Sequence, residues 1–492
     1  MSQAIAGLPA PLPPAPPSDA AAVILWREGP TGREVFWVRR GDQLRFAGGF
    51  HAFPGGRVDA LDALLPVPGR SGEEAALLAA ACRELFEEAG VLLAQGADRL
   101  GRSALDEARR ALLEHRASFA EILRGAGLAL DPSLLEPAGR WVTPPFFPVR
   151  FDARFFLARL PPGQTPRVWP GELSGGEFVP TRTALSLWER GEALLHPPAW
   201  WAISALDRAA PPRALELLRN PPRNPLIEFQ GGVVLAALRT PTLPPATHTN
   251  CWLLDLGGGV AVVDPGSPYP EEEERLLSIL DALASEGRPA REIWLTHHHA
   301  DHVGGVERLL PLGLPLRAHP ETARLLGLSG RAEPLAEGDL LSSRWRVLHT
   351  PGHAPGHVAF LDERTGALFA GDLVSTASTV VIDPPEGDMR AYLRELERLR
   401  QVRARTLYPA HGAPAPSAVA KFDEYLAHRH ARTEKVAVAL ASGGTLGEVT
   451  RRAYDDTPEF LLPVAERSCL ATLLMLEGDG RARREGDRWR AA

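Results

Sequence analysis

Lysine is almost missing from this chain. Only Lys421 and Lys435 occur among 492 residues, so arginine carries nearly all the positive charge. The balance of 54 Lys+Arg against 61 Asp+Glu leaves a formal net charge of −7. That argues against a broad nucleic-acid footprint, which draws on clustered positive charge. Cysteine is scarce too. Cys82, Cys251 and Cys469 lie far apart and form no CxxC, so a disulfide framework is excluded and a reducing compartment fits. No apolar run reaches the roughly 18 residues a membrane span needs. The N-terminus lacks both a basic start and an apolar core, so no secretory signal is read. These absences predict a cytoplasmic protein with no membrane partner. Oligomeric state leaves no mark in the sequence.

At roughly 100–200 residues per domain, the length predicts two to four domains. Residues 1–17, with LPAPLPPAPP at 8–17, read as an extended, disordered lead. A first domain is expected over 18–218. It opens with strand-like runs at Ala21–Trp26 and Glu34–Arg39. A helix from about Gly72 to Ala89 follows, stopped by Gly90. Residues 219–225, containing NPPRNP, are the expected linker. Over 226–416 short apolar runs (GVAVVD, EIWLTH, WRVLHT, ALFAGD) alternate with helical patterns, and each ends in a polar or ionisable residue. That pattern predicts layered α/β structure with its chemistry at strand ends. The tail, 417–492, is expected to be helical through Leu440 and to end in a β wing, with Gly478-Asp479-Gly480 as the hairpin signal.

The densest chemical signal is Thr296-His297-His298-His299-Ala300-Asp301-His302, directly after the run EIWLT. Zinc takes imidazole nitrogens and carboxylate oxygens in tetrahedral sets. One short loop cannot close two such sets, so remote ligands are required. His353 in TPGH, Asp372 in FAGD and His411 in PAHG each follow a strand-like run and can point into one cleft.

The motifs THHHADHVGG, TPGHAPGH, FAGD and PAHG, with HTNCWLL and VAVVDPG upstream, resemble the metallo-β-lactamase superfamily, within it the glyoxalase II and RNase Z type of hydrolase. The resemblance covers 226–415. It implies an αββα sandwich holding two divalent ions, zinc first, with iron or manganese as alternatives. His297, His299 and His353 would bind one ion, and Asp301, His302 and His411 the other, with Asp372 bridging. It also implies hydroxide generated at the ions, oriented by Asp301 as a catalytic residue, attacking an ester, thioester or phosphodiester. Asp264 and His357 are expected to orient the ligands. The segment YLAHRHAR at 425–432 is similar to the stretch after the catalytic domain in β-lactamase-like protein 2 relatives, which implies a small winged-helix tail.

A second signal is Arg83-Glu84-Leu85-Phe86-Glu87-Glu88-Ala89-Gly90-Val91. On a helix Glu84, Glu87 and Glu88 share one face, opposite an apolar stripe of Leu78, Cys82, Leu85 and Ala89. Oxygen donors at this density suit magnesium or manganese, and Arg83 can pair with Glu87 one turn on. With FPGG upstream, REXXEEXGV resembles the second half of the Nudix box. FPGGRVDALD, RELFEEAGVLL, WVTPPFFPVRFDARFF and GEFVPTRTAL extend the likeness toward the peroxisomal coenzyme A diphosphatase subfamily. It implies an α/β/α sandwich in which Glu87 and Glu88 act in catalysis and Gly55 and Gly56 let the backbone approach metal and phosphate. There are departures. The loop before the helix is expanded, and Ala75 stands where the box has its first glutamate, with Glu73 or Glu74 the nearest replacement. In the coenzyme A motif Arg40 and Gly48 fit, while Leu44 replaces a glycine.

Together these readings predict a multidomain α/β bifunctional metal-dependent hydrolase acting on small molecules, with CoA or acyl-CoA derivatives as candidate substrates. Two other readings stay open: a single metallohydrolase with a ligand-sensing Nudix domain, and an RNA-processing endoribonuclease.

Overall fold

The computed structural model describes residues 15–44, 47–222 and 226–492. Most of the expected lead and the last three residues of the expected linker, 223–225, lie outside the described residues. The chain divides between Gly231 and Gly232 into two compact units, so the division falls beyond the proline-rich stretch.

In the first unit, strands Ser18–Gly29 and Gly32–Arg40 form an antiparallel hairpin, with Trp26 opposite Val35. Phe151–Arg159 pairs parallel to the first strand, and Leu173–Pro180 antiparallel to the second. Successive side chains of a strand point to opposite faces. Val23, Leu25, Phe36 and Val38 therefore meet Leu78, Cys82, Leu85 and Phe86 of helix Gly72–Ala89. Ile24, Val35 and Trp37 instead meet Ala184, Trp188, Ile203 and Leu206 of the helices Thr181–Glu189 and Pro197–Arg208. A sheet buried on both faces has no need of alternating polarity, which is why AAAVILW reads as one apolar run. The result is an α/β/α sandwich. Gly90 ends helix Gly72–Ala89 in the left-handed region, φ 71°.

Ahead of its tail, the second unit is built on two sheets. One includes Val233–Arg239, His248–Asp255, Val260–Val263, Ala290–Trp294, Leu316–Ala318 and Glu333–Pro334. The other comprises Leu340–Leu341, Trp345–His349, Val358–Asp362, Ala367–Gly371 and Thr406–Pro409. Aromatic rings join their inner faces: Trp294 on Phe360 at 5.0 Å and Trp252 on Tyr408 at 5.1 Å between centroids. Helix Met389–Val402 covers the outer face of the second sheet through Tyr392, Leu396 and Leu399. Helix Pro270–Ser285 lies against the first sheet and buries Leu276, Leu280 and Leu283. The layers are αββα.

The tail holds helices Ala418–Ala439, Leu446–Ala453 and Leu462–Gly478 and a three-stranded sheet around Trp489. One expectation is corrected. Gly478-Asp479-Gly480 is not the hairpin turn: Gly478 closes a helix and Gly480 sits at φ 70° just beyond it. The hairpin joins Ala482–Glu485 to Arg488–Ala491 through Gly486-Asp487. A Gly-Asp-Gly run serves a helix end as readily as a strand turn. All three cysteines are buried and unbridged. Among the described residues no helix is long and apolar enough to cross a membrane.

Candidate metal centre and carboxylate helix

In the second unit the polar residues lie just past strand ends. Asp264 follows Val260–Val263, the histidine loop follows Ala290–Trp294, and His353 follows Trp345–His349. Asp372 follows Ala367–Gly371, and His411 follows Thr406–Pro409. The loop conformations are enforced locally. Gly371 has φ 49°, and a Cβ there would stand 2.6 Å from His357 Nε2, so only glycine fits before Asp372.

The ligand atoms gather in groups. His297, His299 and His353 form one, His297, His302 and Asp372 a second, and Asp301, His302 and His411 a third, each with its atoms within 4.8 Å of one another. His299 Nδ1 lies 3.0 Å from His297 Nε2 and 2.9 Å from His353 Nε2. Asp372 sits between the positions. Its Oδ1 is 3.5 Å from His302 Nε2 and 3.2 Å from His411 Nε2, and its Oδ2 is 3.6 Å from His353 Nε2. Asp301 Oδ2 is 3.6 Å from His411 Nε2.

The outer hydrogen bonds assign the tautomers. His302 Nδ1–H donates to Asp264 Oδ2 at 2.8 Å, His353 Nδ1–H to the Val381 carbonyl at 2.8 Å, and His411 Nδ1–H to the His248 carbonyl at 2.9 Å. Thr296 Oγ1–H donates to Asp264 Oδ2 at 2.6 Å, so its lone pair takes His297 Nδ1–H at 2.9 Å. His357 Nε2 accepts the Asp372 backbone N–H at 3.1 Å, and its Nδ1–H faces Thr350 Oγ1 at 2.7 Å. Asp264 and His357 thus brace a ligand side chain and a ligand backbone respectively. In His297, His302, His353 and His411 the outward Nδ1 carries a proton, so in the neutral rings the Nε2 lone pair faces inward. His302 Nε2 and Asp372 Oδ1 are buried without any hydrogen-bond partner. Converging lone pairs repel, and orphaned buried polar atoms are costly. A divalent cation resolves both, so the donor set fits one.

The two halves of the cluster differ electrostatically. Burial, then the neighbouring imidazoles, holds His297 and His299 well below the ordinary histidine range. Burial would lower His302 and His411 too, but Asp372 and the nearby carboxylates outweigh it and push both up. Asp372 itself is held far down by His411 and His302 against the effect of burial.

Sequence reasoning assigned no role to Thr296, Thr350 or Asn250. The Asn250 side chain donates to the Pro409 and Gly412 carbonyls, bracing the loop that carries His411. Asn250 lies in HTNCWLL, so the motif was visible although its purpose was not. At the edge of the cluster His298 Nε2 meets Glu386 Oε2 at 2.9 Å.

In the first unit Glu84, Glu87 and Glu88 lie on one helix face but their oxygens do not form such a group. Arg83 Nη1 donates to Glu84 at 2.8 Å and to Glu87 at 3.1 Å, while Glu88 Oε2 accepts the Gly55 N–H at 2.9 Å. Gly56 has a matching reason: a Cβ there would collide with the Glu84 carboxylate. The main partner of Arg83 is one the sequence did not reveal. Asp62 is buried and takes Nε and Nη2 in a fork, both at 2.8 Å. The suggested replacements are corrected. Glu73 pairs with Arg154 and Glu74 with Arg70, both exposed and away from Arg83, because Ala75 and its neighbours turn that side of the helix to the core. Burial raises Glu84 to about 7 and Glu88 to about 8, and raises Glu87 as well. Arg109 closes the helix by donating to the Glu87 and Glu88 carbonyls.

Family models match in the order of these units: a NUDIX domain over residues 16–145, the metallo-beta-lactamase superfamily over 244–411, and a beta-lactamase associated winged helix domain over 445–489. A beta-lactamase-like protein 2 homolog of Drosophila melanogaster is 27% identical over 252 residues, covering 48% of this chain and 84% of the relative. The lactamase-like protein adaB of Aspergillus niger is 31% identical over 226 residues, 45% of this chain and 68% of the relative. Among solved structures, a NUDIX hydrolase from Alicyclobacillus acidocaldarius is 32% identical and covers 42% of this chain and 99% of its own, with a TM-score of 0.37.

Proposed function

Because this chain belongs to the metallo-beta-lactamase superfamily, with a NUDIX domain ahead of that fold and a winged helix behind it, we propose that it is a bifunctional hydrolase: a binuclear, zinc-type centre cleaving an ester, thioester or phosphodiester, and a magnesium- or manganese-dependent centre cleaving a nucleoside-diphosphate-linked compound of the CoA type. The observation that carries the first half is the inward set of lone pairs around the orphaned His302 Nε2 and Asp372 Oδ1. His297, His299 and His353 would hold one ion, Asp301, His302 and His411 the other, and Asp372 both. When bound, such ions supply Lewis acidity and bring the pKa of water to about 7. The protein does the rest. Asp264 and Thr296 keep His302 and His297 in the tautomer that faces inward. Asp301, beside His411, accepts a hydrogen bond from the attacking water and aims it. Burial of the cluster strengthens each electrostatic contact there.

In the first unit Glu84, Glu87 and Glu88 would hold the magnesium or manganese ion, and one carboxylate, Glu87 or Glu88, would take the single proton of the attacking water. Gly55 and Gly56 keep backbone close to the Glu88 and Glu84 carboxylates. Four of the five arginines near the end of the tail are paired with carboxylates and the fifth, Arg484, lies over Trp489, which does not favour an RNA-gripping tail. Arg481 pairs with Glu434, Arg483 and Arg490 with Glu485, and Arg488 with Glu448.

The test is a substrate panel on the full chain. Zinc-loaded protein should hydrolyse members of an ester, thioester and phosphodiester set, and magnesium-loaded protein should release phosphorylated products from CoA and other diphosphate-linked nucleotides. Asp372→Asn should silence the first activity alone and Glu88→Gln the second alone. Loss of both activities in either variant would sink the assignment of separate centres. No magnesium-dependent turnover on any diphosphate would leave the NUDIX domain as a sensor.

A further inference from the structure

Tyr425 and Arg429 of the YLAHRHAR segment stand four residues apart on helix Ala418–Ala439, so they share a face. Both are buried. That face meets residues 375–383, part of the loop between strand Ala367–Gly371 and helix Met389–Val402. The Tyr425 hydroxyl accepts the Ser375 N–H at 2.8 Å and lies 2.7 and 2.9 Å from the Ser375 and Ser378 carbonyls, to one of which it donates. The guanidinium of Arg429 donates to the Val380 carbonyl. From helix Leu462–Gly478, Ser468 Oγ accepts the Ile382 N–H at 3.1 Å, and Arg467 pairs with Asp383.

The held loop touches the metal cluster at two points. Val381 lies between Val380 and Ile382, each clamped by the tail, and its carbonyl is the one that takes His353 Nδ1–H. The turn gripped by Tyr425 receives the His411 carbonyl, from Thr376 N–H at 3.0 Å and Ser375 Oγ at 3.3 Å. The tail therefore contributes no ligand atom, yet it fixes what stands behind one ligand in each half of the cluster.

We propose that Tyr425 and Ser468 are positioning residues for the metal centre: Ser468, with Arg429, holds the Val381 carbonyl that orients His353, and Tyr425 holds the turn that seats His411. The proposal rests on the metal-centre reading above. The outward N–H of a ligating imidazole fixes its ring, and losing a direct outer partner costs about 10–100-fold in metal affinity. A partner one step further out should cost less, up to about tenfold, the lower end of that range, and each variant should weaken a different ion.

The experiment is stepwise removal of zinc from the loaded full chain with a competing chelator. It compares wild type, Ser468→Ala, Ser468→Thr and Tyr425→Phe, with His353→Ala showing which step depends on His353. Wild type should release two ions in separable steps. Ser468→Ala should weaken by up to about tenfold the step that His353→Ala abolishes, and Ser468→Thr, which keeps the hydroxyl, should restore it. Tyr425→Phe should weaken the other step. It removes a single oxygen and carries the test if Ser468→Ala does not fold. Lower thermal midpoints with both steps unchanged would overturn the proposal and leave the tail as packing only. A wild type that retains no zinc would overturn the metal-centre reading itself.

Discussion

The two constellations of ionisable groups solve the same problem differently. In the second unit imidazole and carboxylate atoms converge, and His302, His353 and His411 are each fixed from behind by an outward hydrogen bond. In the first, Arg83 reaches into the carboxylate face, and Glu88 leans on a backbone N–H instead of joining its neighbours. Imidazoles can be buried neutral, with their one proton turned outward, so a cluster of them stays assembled at modest cost. Carboxylates have no proton to turn away when ionised, and must take a cation, a guanidinium or a proton from solution. The histidine centre is thus preorganised, whereas the carboxylate centre would have to exchange partners to take a metal.

That contrast breaks first at its strongest point. Asp372→Asn removes a carboxylate that faces both halves of the cluster and takes from His302 and His411 the charge that raises them most. Zinc content and ester or thioester hydrolysis should fall by more than about 100-fold, since even losses of outer partners cost about 10–100-fold. Elemental analysis and initial rates read this directly. Retention of two ions with near-normal turnover would show that the cluster is not organised around Asp372.

The carboxylate centre should answer to its guanidinium more than to any one glutamate. Asp62 is 1% exposed and takes a two-point fork from Arg83. Arg83→Met strands that buried charge, and removing one partner of such a pair costs about 3–5 kcal/mol. The first unit should unfold at markedly lower denaturant, followed by far-ultraviolet circular dichroism, and added magnesium should recover only part of the loss. Asp62→Asn in the same background should return part of the stability by removing the stranded charge. A shift of less than about 1 kcal/mol, the range of an exposed pair, would mean that the fork is ornamental.

How far the sequence revealed these two sites follows from the same physics. The histidine donors each trail an apolar strand run, and their chemistry is local, so His297 to His302, His353, Asp372 and His411 could be singled out without knowing the fold. Helix Gly72–Ala89 was equally plain, because its apolar stripe and Gly90 cap are periodic and local. Asp62 was not. It lies 21 residues before Arg83 in an expanded loop, and nothing in the spacing distinguishes it from Asp59. Nor could composition tell that Gly478 ends a helix, since glycine and aspartate serve both kinds of chain reversal. Tyr425 and Arg429 were visible as a motif but not as a brace, because the loop they hold is distant in sequence.

The finest test of the contrast is its pH dependence. Burial raises Glu84 to about 7 and Glu88 to about 8 in the metal-free fold. Both lie above the usual glutamate value of about 4.3. Between the unfolded and folded values the native state holds more protons than the unfolded one, so metal-free stability of the first unit should fall as pH rises from about 4.5 toward 8. Metal binding runs against those protons. Magnesium affinity of zinc-loaded protein should therefore climb by up to about a hundredfold per pH unit below 7, where both groups give up a proton, by about tenfold between 7 and 8, and level off above about 9, with proton release that shrinks to nothing there. Titration calorimetry in two buffers of different ionisation enthalpy measures both quantities. These shifts need no mutation, and they bear most directly on mechanism. A magnesium affinity flat from pH 6 to 8.5, with no proton released, would mean that Glu84 and Glu88 are already ionised, and the distinction drawn between a preorganised and a partner-exchanging centre would fail.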